Sequence, residues 1–183
     1  MGNGGAITVR RAEDDARLRR LRALGVDADV HKRMTGNGYH WDYSVTETGF
    51  RNHMNDLQAA IGLVQLQHLD EDNARRTEIA HLYRERLTNT PGISLLHYEK
   101  DRESSYHLFC ILADERDTLV TKLRTNGIDV GVHYRRNDEF PVFERAELPN
   151  VEHFWRHVIS LPMHVALTND RIDYITDTIR SGW

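Results

Sequence analysis

The sequence predicts an α/β protein that is mainly helical in its first half. From Pro91 to Trp183, short runs of β-branched and aromatic residues alternate with helix-like segments, which is typical of a small α/β layer. Before Pro91, apolar residues recur at spacings of three and four, the period of a helix. The pattern changes at the turn that contains Pro91 and Gly92. We therefore predict two parts, residues 1–90 and residues 91–183.

The composition is that of a chain that buries a core in a reducing compartment. Of the 183 residues, 39% are hydrophobic and 28% are charged, as in ordinary globular domains. The net charge of −4 argues against a nucleic-acid partner. No apolar run approaches the length needed to span a membrane, and no signal peptide is recognisable. The single cysteine, Cys110, lies between apolar residues, which favours a core position and a cytoplasmic protein.

The N-terminal elements begin with a glycine-rich turn that leads into a strand-like run, Ala6–Val9. Arg11–Leu24 is predicted to form an amphipathic helix, because acidic residues occupy its first turn and its apolar positions lie on one side. Gly25 is expected to end that helix. Its arginines indicate a solvated helix face rather than a phosphate site.

A long polar loop, residues 26–48, carries a cluster of flat side chains. Its members are Tyr39, His40 and Trp41. Loops of this length in compact domains are often functional. The cluster suits stacking on a flat ligand or a subunit contact, and it suits equally well a role in pinning the loop to the body of the protein.

A glycine-led polar turn from Gly49 to His53 precedes the next predicted helix. Apolar residues line one face of that helix: Met54, Leu57, Ile61 and Val64. The turn exposes Arg51 and Asn52 just before the helix begins, where unpaired N–H groups favour an anion. On composition alone, an ordinary buried helix with a polar cap explains the same pattern.

The remaining elements follow from period and turn signals. The predicted strands are Ile93–Leu96, Ser105–Leu112 and Ile128–Tyr134. The predicted helices are Asp70–Leu87, Glu115–Thr125, Val151–Ile159 and a final helix that begins after Thr168. Thr168 is expected to be the N-cap of the final helix.

Eleven histidines raise the question of a metal site. His153 and His157 have the i, i+4 spacing of zinc ligands on a helix, and His164 follows. No carboxylate or cysteine converges on them in the sequence. We therefore predict a structural or surface role for these histidines and no metal site.

The turn and helix around residue 51 also carry a family resemblance. The residues from 49 to 62, Gly-Phe-Arg-Asn-His-Met-Asn-Asp-Leu-Gln-Ala-Ala-Ile-Gly, resemble the G-Y-N-Y-R-M-N-D-x-Q-A-A-I-G signature of the DegT/DnrJ/EryC1/StrS family of nucleotide-sugar aminotransferases. The match continues to Tyr83. The resemblance implies a fold-type-I pyridoxal phosphate (PLP) transferase, represented here by the end of the large domain, the linking helices and the small C-terminal α/β domain.

The resemblance also assigns roles to individual residues. Arg51, where the family has Asn, and its neighbour Asn52 are expected to reach the phosphate of PLP bound in a partner subunit. His133 and Tyr134 match the strand end that approaches the sugar nucleotide, although a packed strand end is an equally good explanation. The loop with Tyr39, His40 and Trp41 is expected near the active site of a dimer. Arg135-Arg136-Asn137 replaces the family's P-L-H, which suggests an altered substrate choice.

The family's Schiff-base lysine is expected upstream of Met1, and the lysines present, Lys32, Lys100 and Lys122, do not lie in its sequence context. No catalytic residue is therefore predicted in this chain. The expected function is amination of a dTDP- or GDP-linked 4-keto-6-deoxy sugar from glutamate, with PLP bound only when a separately encoded N-terminal half, a homodimer or both complete the enzyme. The alternatives are a non-catalytic dimerisation or sugar-nucleotide-binding module, and an inert remnant of a split gene.

Overall fold

The computed structural model describes residues 4–27 and 43–183. The chain divides into two compact units, Met1–Gln67 and His68–Trp183. The predicted boundary between residues 90 and 91 thus falls inside the second unit. No helix in the described ranges is both long and apolar enough to span a bilayer.

The first unit contains helices α1 (Ala12–Leu21) and α2 (Asp56–Gln67). Helix α1 ends three residues earlier than predicted, since the chain turns back at Leu24 (φ 66°) and Gly25 (φ 75°). A Cβ on Gly25 would lie 1.8 Å from the carbonyl oxygen of Glu47. Only glycine permits this approach and this backbone conformation.

One expectation for the first unit is wrong, and the explanation of α2 as an ordinary buried helix does not hold within the described residues. Residues 6–9 are extended but pair with no strand among the described residues, and Ile7 is 74% exposed. An isolated strand has no partner for its backbone hydrogen bonds. Helix α2 is not buried by this chain either, because Leu57 is 79% exposed and Leu63 is 65% exposed. Of the described residues up to Gln67, Val26 is the only buried apolar side chain.

The second unit is built around a small antiparallel sheet with the order β1-β2-β3. The strands are β1 (Ile93–Leu95), β2 (Phe109–Ala113) and β3 (Val158–Leu161). The helices are α3 (Leu69–Leu87), α4 (Arg116–Thr125), α5 (Pro149–His157) and α6 (Asn169–Arg180), with a 3-10 turn at Asn137–Glu139. The register pairs Cys110 with Ser160 and Ile111 with Ile159.

Two predicted elements differ from the structure at β3. Instead of a third strand at 128–134, Gly131 makes a single bridge to Ser160, and each residue donates its N–H to the other's carbonyl. The predicted helix at 151–159 ends at His157, so that Val158 and Ile159 enter the sheet and are fully buried. Both are β-branched and fit a pleated buried strand better than a helix end.

The core of the second unit explains why α3 belongs to it. Ile79, Tyr83 and Leu87 lie on one buried face of α3, and the Tyr83 ring stacks on Phe109 at a centroid distance of 5.0 Å. The Tyr83 hydroxyl donates to the carbonyl of Pro162 at 3.0 Å. Because this helix covers the sheet, it cannot be a free linker, and the unit begins at His68.

Candidate functional site

A cleft of about 280 Å³ lies beside the outer edge of β3 in the second unit. Its polar lining includes His107, Asp129, His133 and Ser160, and its apolar lining includes Leu161 and Met163. Of the residues predicted from the sequence to meet the substrate, His133 lines this cleft.

The imidazole of His133 is held by its neighbours. Its Nδ1 lies 2.9 Å from the hydroxyl oxygen of Ser160, which lies 3.4 Å from the sulfur of Cys110. Ser160 is 4% exposed, so this hydroxyl is almost entirely removed from water. A buried hydroxyl between two polar neighbours fixes the groups around it more firmly than a solvated one.

Gly131 provides the space for this ring. A Cβ at position 131 would lie 2.6 Å from Cε1 of His133, closer than such contacts are found. The bridge between Gly131 and Ser160 brings the backbone of residue 131 against β3. The absent side chain therefore allows the His133 ring to lie over the backbone.

Tyr134 is presented differently from His133. Its ring meets that of His133 edge to face at a centroid distance of 4.9 Å, and the residue is 76% exposed. The peptide bond between the two residues is cis. An exposed aromatic ring next to a fixed imidazole offers a stacking surface and a hydroxyl to a ligand.

The arginine pair after Tyr134 has two separate roles. Arg136 is 4% exposed and forms two hydrogen bonds with Asp138, at 2.9 and 2.6 Å. Arg135 is exposed, pairs with Glu139 at 3.1 Å and stacks over Phe140. Arg136 is thus engaged in the interior, and of the two only Arg135 is available to a ligand.

The predicted cofactor-binding residues lie in the first unit, on a turn held by its backbone. Phe50 donates its N–H to Leu21, and Asn52 donates its N–H to Arg22. A Cβ on Gly49 would lie 2.1 Å from the nitrogen of Gly25, so this turn also requires glycine.

The side chains of Arg51 and Asn52 are exposed, and neither has a hydrogen-bond partner within the described residues. A guanidinium and an amide in this state are donors suited to a phosphate.

The N-terminus of α2 is less open to an anion than the sequence suggested. The side chain of Asn55 accepts from the N–H of Gln58 at 2.9 Å, and the side chain of Gln58 accepts from the N–H of Asn55 at 3.3 Å. This reciprocal pair is a capping box, which uses two of the donors at the helix start. The exposed side chains of Arg51 and Asn52, just before this helix, are donors that the capping box does not use.

Neither lysine in the described residues lies in the cleft beside β3. Lys122 donates to the hydroxyl of Ser181 at 2.6 Å and to the carbonyl of Gly182, at the end of α6. Lys100 is an exposed residue of the loop after β1. Lys32, Tyr39, His40 and Trp41 lie outside the described residues.

The two histidines with i, i+4 spacing lie against each other on α5. The rings of His153 and His157 are tilted by 39° at a centroid distance of 4.3 Å, and Nδ1 of His157 lies 2.6 Å from the carbonyl oxygen of His153. Within residues 4–27 and 43–183 no three potential ligands converge on one point.

A larger cleft of about 660 Å³ was not anticipated from the sequence. It lies against α6 and is lined by Asp129, His164, Arg171 and Tyr174 among others. It contains none of the predicted site residues, whereas the smaller cleft contains His133 in a fixed orientation. We therefore take the smaller cleft as the candidate site of the second unit.

Comparison with known proteins identifies one family by its profile, by a curated relative and by solved structures. The profile of the DegT/DnrJ/EryC1/StrS aminotransferase family matches residues 1–180. The spore coat polysaccharide biosynthesis protein SpsC of Bacillus subtilis is 29% identical over 98% of this chain and 49% of its own length. AtS13 from Actinomadura melliaura superimposes with a TM-score of 0.81 at 35% identity, over 91% of this chain and 44% of that structure.

A second solved structure, the sugar aminotransferase CalS13 from Micromonospora echinospora, gives a TM-score of 0.79 at 31% identity. The alignment covers 90% of this chain and 44% of CalS13. The chain thus spans about half the length of the curated relatives it matches, and the matched part is their C-terminal half.

Proposed function

This chain belongs to the DegT/DnrJ/EryC1/StrS aminotransferase family, and on that basis we propose that it is the substrate-binding C-terminal portion of an enzyme that aminates a nucleotide-linked sugar. The predicted fold class is confirmed, since the solved relatives are α/β sugar aminotransferases of fold type I. We propose a dTDP- or GDP-linked 4-keto-6-deoxy sugar as the substrate and glutamate as the amino donor.

The observation that carries the proposal is the placement of His133 in the cleft beside β3. An imidazole fixed by Ser160 and seated over Gly131 offers a hydrogen-bonding group in a constant position. The exposed ring of Tyr134 stands against it at a right angle. Together they suit a polar, ring-shaped ligand such as a sugar. His133 would hydrogen-bond to one of its oxygens, and the ring of Tyr134 would pack on one face of the sugar ring.

The donors in the first unit fit the phosphate of PLP. Arg51 and Asn52 lie on a turn whose backbone is fixed at Gly49, so their side chains are unpaired within the described residues but anchored. PLP, when bound, supplies the electron sink through which an amino group moves between two substrates. In this proposal Arg51 provides the charged donor to its phosphate, and Asn52 provides a neutral one.

The activity requires a group that the described residues do not provide. Lys122 is engaged at the end of α6, and Lys100 lies in an exposed loop. We propose that the lysine that binds PLP lies in the N-terminal half that the matched relatives contain and this chain does not span, and that two complete assemblies pair as a dimer. Support comes from the exposed apolar side chains of α2, which a partner would remove from water.

The test is to express the chain with the polypeptide encoded upstream of it, and to measure transfer from glutamate to a 4-keto sugar nucleotide. The assembly should absorb at about 400–430 nm through bound PLP, whereas the chain alone should not. Arg51→Ala should weaken PLP binding about tenfold or more, because a charge-assisted hydrogen bond is lost. His133→Ala should raise the KM for the sugar nucleotide.

His81→Ala, on the exposed side of α3, is the matched control and should behave like the unchanged chain. An assembly without the absorbance band and without amino-sugar product would refute the proposed activity. Product formation by the chain alone would refute the requirement for a second polypeptide.

A second candidate function is a sugar-nucleotide-binding module without catalysis. It is favoured by the second unit, which has its own buried core and cleft without a catalytic lysine. Calorimetric titration with dTDP, GDP and their 4-keto sugars distinguishes the candidates, since a binding module retains affinity without a partner. Failure to accumulate as folded protein would instead indicate the remnant of a split gene.

A further inference from the structure

We infer that Ser160 is a positioning residue for His133, and that it fixes the orientation and the tautomer in which the imidazole meets a ligand. The inference rests on the proposed function only in its claim that this ligand is a sugar nucleotide. Neither Ser160 nor Cys110 was singled out as a site residue from the sequence, because they lie 27 and 23 residues from His133 along the chain.

The geometry brings three polar side chains into a row. The sulfur of Cys110 lies 3.4 Å from the hydroxyl oxygen of Ser160, and this oxygen lies 2.9 Å from Nδ1 of His133. Cys110 and Ser160 face each other across β2 and β3, so the sheet register sets their separation. The bridge from Ser160 to Gly131 then places the segment that carries His133 against the same strand.

The chemistry of the three groups selects one direction for the hydrogen bonds. A hydroxyl is a good donor, an imidazole nitrogen is a good acceptor, and a thiol is weak in both roles. The better arrangement has the thiol of Cys110 donating to the oxygen of Ser160 and the hydroxyl of Ser160 donating to Nδ1 of His133. In the opposite direction, Nδ1–H of His133 would donate to Ser160, and the hydroxyl of Ser160 would donate to the sulfur of Cys110, the weakest acceptor present.

This direction places the imidazole proton on Nε2. That nitrogen has no hydrogen-bond partner within the described residues, and His133 lines the cleft. The ring is further confined by the backbone of Gly131 and by the edge-on ring of Tyr134. Ser160 thus leaves His133 with one N–H for an oxygen acceptor in the cleft, such as a sugar carbonyl, hydroxyl or phosphate oxygen.

The primary test is nitrogen-15 NMR of the histidine side chains in the complete chain at a pH of about 8, where imidazoles are ordinarily neutral. His133→Gln identifies the signals of His133 by their disappearance. In the unchanged chain, Nδ1 should have the nitrogen-15 chemical shift of an unprotonated nitrogen that accepts a hydrogen bond. Nε2 should have the chemical shift of a protonated nitrogen. In Ser160→Ala the two shifts should move towards each other, because the tautomers then interchange.

Ser160→Thr keeps the hydroxyl and should restore the original pair of shifts, which a purely steric role of Ser160 would not predict. Cys110→Ala should leave the His133 shifts close to those of the unchanged chain, since Ser160 still donates; it also serves as a control for disturbance of the sheet. Unchanged His133 shifts in Ser160→Ala would overturn the inference. Nitrogen shifts of His133 that are averaged between the two tautomers in the unchanged chain would also overturn it.

A double-mutant cycle links the positioning to binding. Ser160→Ala should weaken binding of the sugar nucleotide about fivefold, as expected for loss of one well-oriented hydrogen bond. In a His133→Ala background the same change should have almost no effect, because there is no ring left to position. An equal loss in both backgrounds would contradict the inference. Absence of binding in the unchanged chain would count against the binding module without catalysis, while the NMR result would still decide the role of Ser160.

Discussion

At the scale of single residues, the buried guanidinium of Arg136 organises the segment that follows the candidate site. It bonds twice to Asp138, lies 3.3 Å from Glu152 of α5 and donates to the carbonyl of Ala146. Removing a cation from water is costly unless it is paired and its donors are used. Here two carboxylates and a carbonyl meet that requirement, and residues 136–146 are thereby tied to α5.

This ion cluster predicts an acid-sensitive segment. Hydrogen bonds from Arg136 lower the pKa of Asp138. The hydrogen bond and the charge of Arg156, with a smaller contribution from Arg136, lower the pKa of Glu152. A carboxylate whose pKa is lower in the folded state stabilises the fold above its ordinary pKa, and that stabilisation is lost as pH falls through the folded-state pKa. The Tm should therefore decrease as pH falls from about 5 towards 2.

Asp138→Asn is the control for that pH dependence. It should have a lower Tm than the unchanged chain at pH 7, and the difference should disappear at low pH, where Asp138 is protonated in both folded and unfolded states. Thermal unfolding followed by circular dichroism measures both quantities. A difference that stays constant from pH 7 to pH 2 would contradict the role of this pair.

A second prediction at this scale concerns Tyr83. Its buried hydroxyl donates to Pro162, so Tyr83→Phe should lower the free energy of unfolding by about 1 kcal/mol while the stack on Phe109 remains. Tyr174 provides the matched control, since its hydroxyl also donates to a carbonyl but the residue is 52% exposed. Tyr174→Phe should cost less, because water replaces the lost donor. Urea unfolding measures both, and equal costs would show that burial does not decide the effect.

At the scale of elements, two helices begin with caps encoded within four residues. Asn55 and Gln58 cap α2 reciprocally, and Thr168 caps α6 by accepting from the N–H of Arg171. What separates these helices is burial, since Ile172, Ile175 and Ile179 of α6 lie in the core and α2 buries no residue. A cap starts a helix, but packing supplies most of its stability.

The cap of α6 can be tested in isolation. Thr168→Ala should lower the free energy of unfolding by about 1 kcal/mol, because one N–H in the first turn loses its acceptor. Thr168→Ser keeps the oxygen and should unfold at nearly the same urea concentration as the unchanged chain. If both substitutions destabilise equally, the methyl group of Thr168 matters and the cap does not.

At the scale of the whole molecule, hydrophobic burial is concentrated in the second unit. The buried cluster lies entirely between Ile79 and Ile179, whereas the described part of the first unit buries one apolar side chain. Burial of apolar surface is the main favourable term in folding. The second unit therefore has a buried core that can stabilise it by itself, and the described part of the first unit leaves most of its apolar side chains exposed.

This asymmetry predicts the pattern of hydrogen exchange in the chain alone. Amides of α1 and α2 should exchange rapidly, and those of β2 and of the buried face of α3 should be protected. Adding an N-terminal half like that of the matched relatives should slow exchange in α2 more than in α4. Strong protection of α1 in a monomer would show that the first unit needs no partner.

Local signals in the sequence predicted much of this molecule. The contiguous motif from Gly49 to Gly62 identified the family, and the apolar spacing before Leu87 predicted α3. The N-cap at Thr168 was also predicted. Each of these signals is complete within one stretch of chain, because helix period and capping depend on residues at most four positions apart.

Tertiary structure decided the rest. Val158 and Ile159 extend a helical pattern in the sequence but enter β3 because β2 offers them a partner strand. Arg136 is buried because Asp138 and Glu152 converge on it from two elements. The contacts from Cys110 through Ser160 to His133 depend on the sheet register, which makes neighbours of residues that lie tens of positions apart in the sequence. No periodic pattern in the sequence reports such contacts.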